Sequence, residues 1–185
     1  VDVVGASFGG WLAAELAVRH PARVRRLVLM NPLGLHVPHS GTGLFFGAAA
    51  PHGIGGFAEV RSMLFADPQS AVATGALPDD MERARQLRWF GGLAGAARLG
   101  WRAPELRNPK LRRRLRRVNV PSLVLWGEQD RISPIAHARV WERELPDAEV
   151  VLVPDAGHSL PLERPDVVVD WVTSYLAHPS APLTA

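Results

Sequence analysis

Val1-Asp2-Val3-Val4-Gly5-Ala6-Ser7-Phe8-Gly9-Gly10 opens the chain, and the architecture follows from it. The first four residues are an apolar run that stops at Gly5 and reads as the tail of a strand. From Gly9 to about His20 the spacing becomes helical. Leu12 and Leu16, with the small Ala13 and Ala17, share one face, and Pro21 follows the end. Val24 to Met30 is a buried strand, closed by Asn31-Pro32. Strand, tight turn, helix and strand make a βαβ unit, which implies a parallel sheet covered by helices. The turn itself reads Gly-x-Ser-x-Gly at Gly5, Ser7 and Gly9. In that context a serine takes a strained backbone conformation with its hydroxyl above the sheet. Both flanking glycines are expected to remove side chains that would clash. The N–H of Phe8, at the helix start, is expected to face a developing oxyanion. Ser7 is therefore the candidate nucleophile.

A serine nucleophile needs a base, and the base needs an orienting acid. Further strands supply the places for them. Pro121 to Trp126 is a buried strand ending at Gly127, and Glu149 to Val153 is another. A helix over Pro134–Leu145 lies between them, with Ser133 able to cap it and Pro134 at its first position. A last helix, Pro165–Leu176, carries Val168, Trp171, Val172, Tyr175 and Leu176 on one face. Strand ends on one edge of a parallel sheet converge, so residues far apart in sequence can meet there. Asp130 follows the first of these strands and His158 the second, giving the order serine, acid, histidine. Glu128 is the other candidate acid, and Asp155 reads as a turn former. His20, His36, His39, His52, His137 and His178 have no comparable placement and no paired metal-ligand spacing. No metal and no cofactor is expected.

Length and composition exclude several classes. The chain has 185 residues, one ordinary domain, with 47% hydrophobic and 21% charged residues. Gly 17 and Pro 16 are too few for a low-complexity or collagen-like chain. No run of eighteen apolar residues suggests a membrane span, and no leader is visible, so a cytoplasmic location is expected. With no cysteine, disulfides and thiolate metal sites are excluded. The sequence pI of about 10.4 accompanies a net charge of only +3, because one tyrosine and one lysine leave little to titrate above histidine. That charge is small, and no nucleic-acid partner is expected. Nothing here fixes an oligomeric state.

Residues 34–115 read differently. Gly41 to Gly56 has no clear period, helices are expected around Phe57–Phe65, Asp80–Phe90 and Lys110–Val118, and no strand is evident. This is a helical insertion between two strands. The run Lys110 to Arg117 (KLRRRLRR) places Leu111, Leu115 and Val118 on one face, leaving a charged, solvated face outside. A phosphate, membrane-surface or nucleic-acid contact is the competing reading of that face.

The stretches Gly5–Gly10, Val124–Asp130 and Gly157–Pro165 together resemble the α/β-hydrolase fold superfamily. The resemblance implies an α/β fold, a mostly parallel sheet with flanking helices. It implies a hydrolase core over 1–33 and 116–185, a helical cap over 34–115, and four further strands upstream in an intact member. It assigns Ser7 as nucleophile, Asp130 as acid and His158 as base, without a cofactor. The expected reaction is hydrolysis of an ester or related acyl compound, on an apolar small molecule. Phe45, Phe46, Trp89, Phe90 and Trp101 are the candidate pocket wall. A carbon–carbon bond hydrolase and a catalytically incompetent fragment or pseudoenzyme of the same fold are the alternatives. Carbon–carbon bond hydrolases of the aromatic-degradation type usually carry Trp after the histidine, where this chain has Ser159.

Overall fold

In the computed structural model, residues 1–38, 40–49, 56–102 and 105–177 are described. Four parallel strands form the central sheet: β1 (Asp2–Ala6), β2 (Arg26–Met30), β5 (Ser122–Gly127) and β6 (Ala148–Val153), side by side in that order. Helix α1 (Ser7–Arg19) joins β1 to β2, and α7 (Ala136–Glu144) joins β5 to β6. Helices α8 (Leu160–Glu163) and α9 (Pro165–Ala177) follow β6.

The pleat divides the strand residues between two cores. Leu27, Leu29, Val124 and Trp126 face α1 and α7, while Val28, Met30, Leu123 and Leu125 face α9. Both faces being covered, β2 and β5 are buried along their whole length, which is why they read as unbroken apolar runs. Val167, Val168, Trp171, Val172, Tyr175 and Leu176 of α9 pack on the second face. Helix α1 departs from its expected face. Its buried residues are Gly10, Trp11, Ala13, Ala14 and Ala17, whereas Leu12 and Leu16 are exposed. Small side chains let the helix backbone lie close on β1 and β2, and the leucines are left on the far side.

Between β2 and β5 the chain is mainly helical, in α2 (Thr42–Ala48), α3 (Gly56–Leu64), α4 (Ala71–Ala76), α5 (Arg83–Gly100) and α6 (Leu111–Leu115). Several boundaries differ from the sequence reading. Helix α2 lies in the stretch read as aperiodic. Helix α4 begins where Ser70 Oγ accepts the N–H of Ala73 at 3.2 Å. Helix α5 begins three residues later than expected and continues to Gly100. A two-residue pairing of β3 (Trp101–Arg102) with β4 (Glu105–Leu106) breaks the all-helical expectation. Helix α6 is one short turn. Helix α7 starts at Ala136, so Ser133 does not cap it, and Ser133 Oγ has no partner among the described residues. His39, His52 and His178 lie outside the described residues.

Candidate active site

The turn from β1 into α1 places Ser7 in the left-handed region, at φ 51°. That costs a non-glycine residue about 1 kcal/mol or more. The turn is held by the N–H of Leu33, which donates to the Ser7 carbonyl at 3.1 Å. The flanking glycines divide their roles. A Cβ on Gly5 would run into the Gly9 carbonyl and come within 2.9 Å of Gly10 Cα. A Cβ on Gly9 would meet nothing within 4 Å among the described residues, so only the first glycine is sterically required there. Phe8 is the second residue of α1, where an N–H has no helical carbonyl to bond. Its ring packs edge-on against Trp11 at 5.5 Å.

Ser7 Oγ lies 2.7 Å from His158 Nε2, and His158 Nδ1 lies 2.7 Å from Asp130 Oδ2. An ionised carboxylate can only accept, so Nδ1 carries the proton and Nε2 accepts from the serine hydroxyl. Asp130 and His158 are both buried. Asp130 accepts at Oδ1 from the N–H groups of Ile132 and Ser133, each at 2.8 Å, and at Oδ2 from Asn31 Nδ2 at 2.6 Å as well as from His158. Glu128, the other candidate acid, is exposed at the surface and is not the partner of His158. Asp155 sits in a turn at φ 53°. His137 is buried behind the acid loop, stacked on Trp126, and burial holds its pKa below the ordinary value.

The His158 loop is fastened to the end of α3. Ser159 N–H donates to the Leu64 carbonyl at 2.8 Å. Glu163 accepts from Ala66 N–H at 2.6 Å and from Gly157 N–H at 2.8 Å. A Cβ on Gly157 would lie 2.9 Å from backbone atoms of Leu64, Phe65 and Ala66. From the acid loop, Arg131 donates to the carbonyls of Ser62 and Phe65.

Ser7 and His158 open onto a cavity of about 330 Å³ walled by Leu33, Phe45, Leu64, Trp89, Leu93, Ile132, Pro161 and Leu162, with Thr42 and Ser159 its further hydroxyls. Of the five aromatic residues expected there, Phe45 and Trp89 line it. Phe46, Phe90 and Trp101 do not. They belong to an aromatic cluster behind it, in which Phe46 meets Trp101, Phe90 meets Trp89, and Phe57 bridges to both Trp89 and Phe90. The cavity wall has no cation among the described residues. These residues also contain no cluster of three or more potential metal ligands, and no helix long and apolar enough to cross a membrane.

The basic run has a partner that sequence reasoning missed. Glu144, fully buried, accepts from Arg112 at 2.8 Å, from Arg116 at 2.6 Å and from Arg143 at 3.3 Å. Leu111, Leu115 and Val118 are buried beneath the run, as their spacing predicts. Asn31 and Glu163 also went unread, because Asn31 finds Asp130, and Glu163 finds Ala66, about a hundred residues away.

Over residues 1–165 the sequence matches the family described as the alpha/beta hydrolase fold. The chain belongs to that family. A 2-hydroxymuconate semialdehyde hydrolase from Pseudomonas putida is 28% identical to this α/β-hydrolase over 97% of this chain and 63% of its own length. A pimeloyl-[acyl-carrier protein] methyl ester esterase from Aromatoleum aromaticum is 31% identical over 89% of this chain and 69% of its own. The solved structure of a meta-cleavage product hydrolase from Pseudomonas fluorescens IP01 superposes with a TM-score of 0.74 at 19% identity. It covers 95% of this chain and 64% of that one, a likeness of fold. The chain spans less than two thirds of the length of the curated relatives it matches first, 63% of that semialdehyde hydrolase and 42% of another.

Proposed function

We propose that this α/β-hydrolase is a serine hydrolase that cleaves an uncharged, apolar ester or related acyl compound. The observation that carries the reading is the unbroken relay Ser7–His158–Asp130, opening onto an apolar cavity. His158 Nε2 takes the hydroxyl proton as Ser7 Oγ attacks the acyl carbon. The Phe8 N–H stabilises the oxyanion. Asp130 keeps the imidazole in its tautomer and balances the imidazolium. His158 then gives the proton to the leaving alcohol, and water activated by the same nitrogen releases the acid and frees Ser7. The helical segment 34–115 serves as the cap that shapes the substrate, through Phe45, Leu64, Trp89 and Leu93.

The absence of a cation from the described wall favours a neutral acyl group over a carboxylate-bearing one. The esterase relative supports the ester reading. The semialdehyde hydrolase relative supports a second reading, carbon–carbon bond hydrolysis at the same serine, while Ser159 after the histidine weighs against it. A fluorophosphonate is expected to label Ser7, and Ser7→Ala is expected to abolish both labelling and turnover of p-nitrophenyl esters of graded acyl length. Turnover within tenfold in Ser7→Ala would overturn the assignment. Turnover of a vinylogous 1,5-diketone with none of any ester would transfer it to carbon–carbon bond hydrolysis.

A further inference from the structure

Asn31 directly follows β2 and is fully buried, with its backbone in the left-handed region at φ 44°. Among non-glycine residues asparagine bears that conformation most easily, yet it still has a cost. Both ends of the residue are anchored on β5. Its N–H donates to the Leu125 carbonyl at 3.1 Å, and its Oδ1 faces the Gly127 N–H at 3.4 Å. Its Nδ2 donates to Asp130 at 2.6 Å, on Oδ2, the oxygen that also receives the proton of His158 Nδ1.

The four donors to Asp130 are not equivalent. Ile132 and Ser133 lie two and three residues on in the same turn and engage Oδ1, so they move with the loop they stabilise. Asn31 follows directly on β2, is bonded through its N–H to β5, and engages Oδ2. It is the donor that references this oxygen to the framework carrying Ser7, since β1 and β2 are paired from Asp2–Arg26 to Ala6–Met30. We infer that Asn31 is a positioning residue for the reaction proposed above, its amide fixing Asp130 Oδ2 on His158 Nδ1. The inference rests on the Ser7–His158–Asp130 reading. Asn31 touches neither substrate nor the reacting atoms. It acts by keeping the acid–base hydrogen bond aligned while His158 gains and loses its proton.

Two variants test this on the full chain. Asn31→Asp keeps the shape and tolerates the backbone, but lacks the amide donor. Asn31→Ala lacks the donor without adding charge. Both are expected to lower kcat by on the order of 10- to 100-fold, the usual loss when an outer partner of a functional side chain is removed, with KM changed less than threefold. The second readout needs no turnover. In Ser7→Ala protein the His158 Nδ1–H proton is expected as a strongly deshielded NMR resonance, and adding either Asn31 substitution is expected to move it upfield or lose it to exchange. A resonance unchanged in both double variants, or kcat within threefold of wild type in both single ones, overturns the inference. Turnover surviving in Ser7→Ala would instead remove the reading of the site, while the resonance would still decide whether Asn31 fixes the Asp130–His158 bond.

Discussion

At the scale of single residues, the turn at Ser7 shows what a motif encodes and what it does not. Gly-x-Ser-x-Gly names two glycines, but only Gly5 has backbone packed where its Cβ would go, and Gly10 rather than Gly9 is the next crowded one, with Pro32 Cβ at 2.9 Å. Replacing Gly5 with alanine forces backbone apart at the point where β1 meets α1. The expected loss is about 3 kcal/mol, the upper end of overpacking, or roughly 6–12 °C in melting temperature for a chain of this size. Gly9→Ala adds a good helix former in open space and is expected to stay within about 1 kcal/mol of wild type. Thermal melts of the two variants check the ranking, and equal losses would contradict it. Ser7, Asp130 and His158 could be picked out because each stands in a local context of strand end and turn. Asn31 could not, since an asparagine closing a strand before proline has the ordinary look of a turn, and only the sheet brings it to Asp130.

At the scale of elements, α6 and α7 are joined by one carboxylate. Glu144 has its pKa lowered to about 2, first by the hydrogen bond from Arg116 and then by those from Arg112 and Arg143, against the opposing effect of burial. A carboxyl whose folded pKa lies below its ordinary value of 4.5 supports the fold above that value, and loses the support as pH falls from about 4.5 toward 2. The three guanidinium groups are half exposed or more, so solvent screening leaves about 1–2 kcal/mol of this at neutral pH. Glu144→Gln is expected to lose that amount at pH 7 in urea titrations, with the gap to wild type closing as pH is lowered through the same window. A gap that stayed constant would place the stabilisation elsewhere. The run of basic residues gave no sign of this pairing, because Glu144 lies 28 to 32 residues further on. Legibility of the other elements follows the same physics. Strands β2 and β5 stood out because burial on both faces makes them continuously apolar between Pro, Asn and Gly boundaries. Helix α9 stood out because only one of its faces is apolar. Helices α2 and α4 and the β3–β4 pair were not legible. They are two to seven residues long, too short for a period, and packing rather than propensity sustains them.

At the scale of the whole molecule, the contacts around Phe65 join the helical segment to both loops that carry the proposed acid and base. Arg131 reaches it from one loop, Ser159 and Glu163 from the other. Glu163 differs from Glu144 in sign. Burial raises its pKa, and the N–H groups of Ala66 and Gly157 only partly offset that. In the fold its ionised form is therefore the disfavoured one, and its penalty is relieved, not deepened, as pH falls through the raised value. Ionisation of this carboxyl is thus not a source of stability. What it supplies is geometry, because its two oxygens accept from two N–H groups on different parts of the chain, one of them adjacent to His158. In Glu163→Gln one oxygen becomes an amide nitrogen that can only donate, so one of the two N–H groups loses its acceptor while the half-buried charge disappears. The two effects oppose each other, and the melting temperature is expected to stay within a few degrees of wild type. Activity is expected to fall by about 10-fold, as for other outer partners of functional side chains. Cleavage by a protease between Glu59 and Ala66 is expected to quicken, because the end of α3 loses a tether that Arg131 and Ser159 do not fully replace. A variant with wild-type kcat and unchanged proteolysis would show that Arg131 and Ser159 suffice to hold the segment against the site. A variant that melted far below wild type would show that the carboxylate stabilises the fold after all.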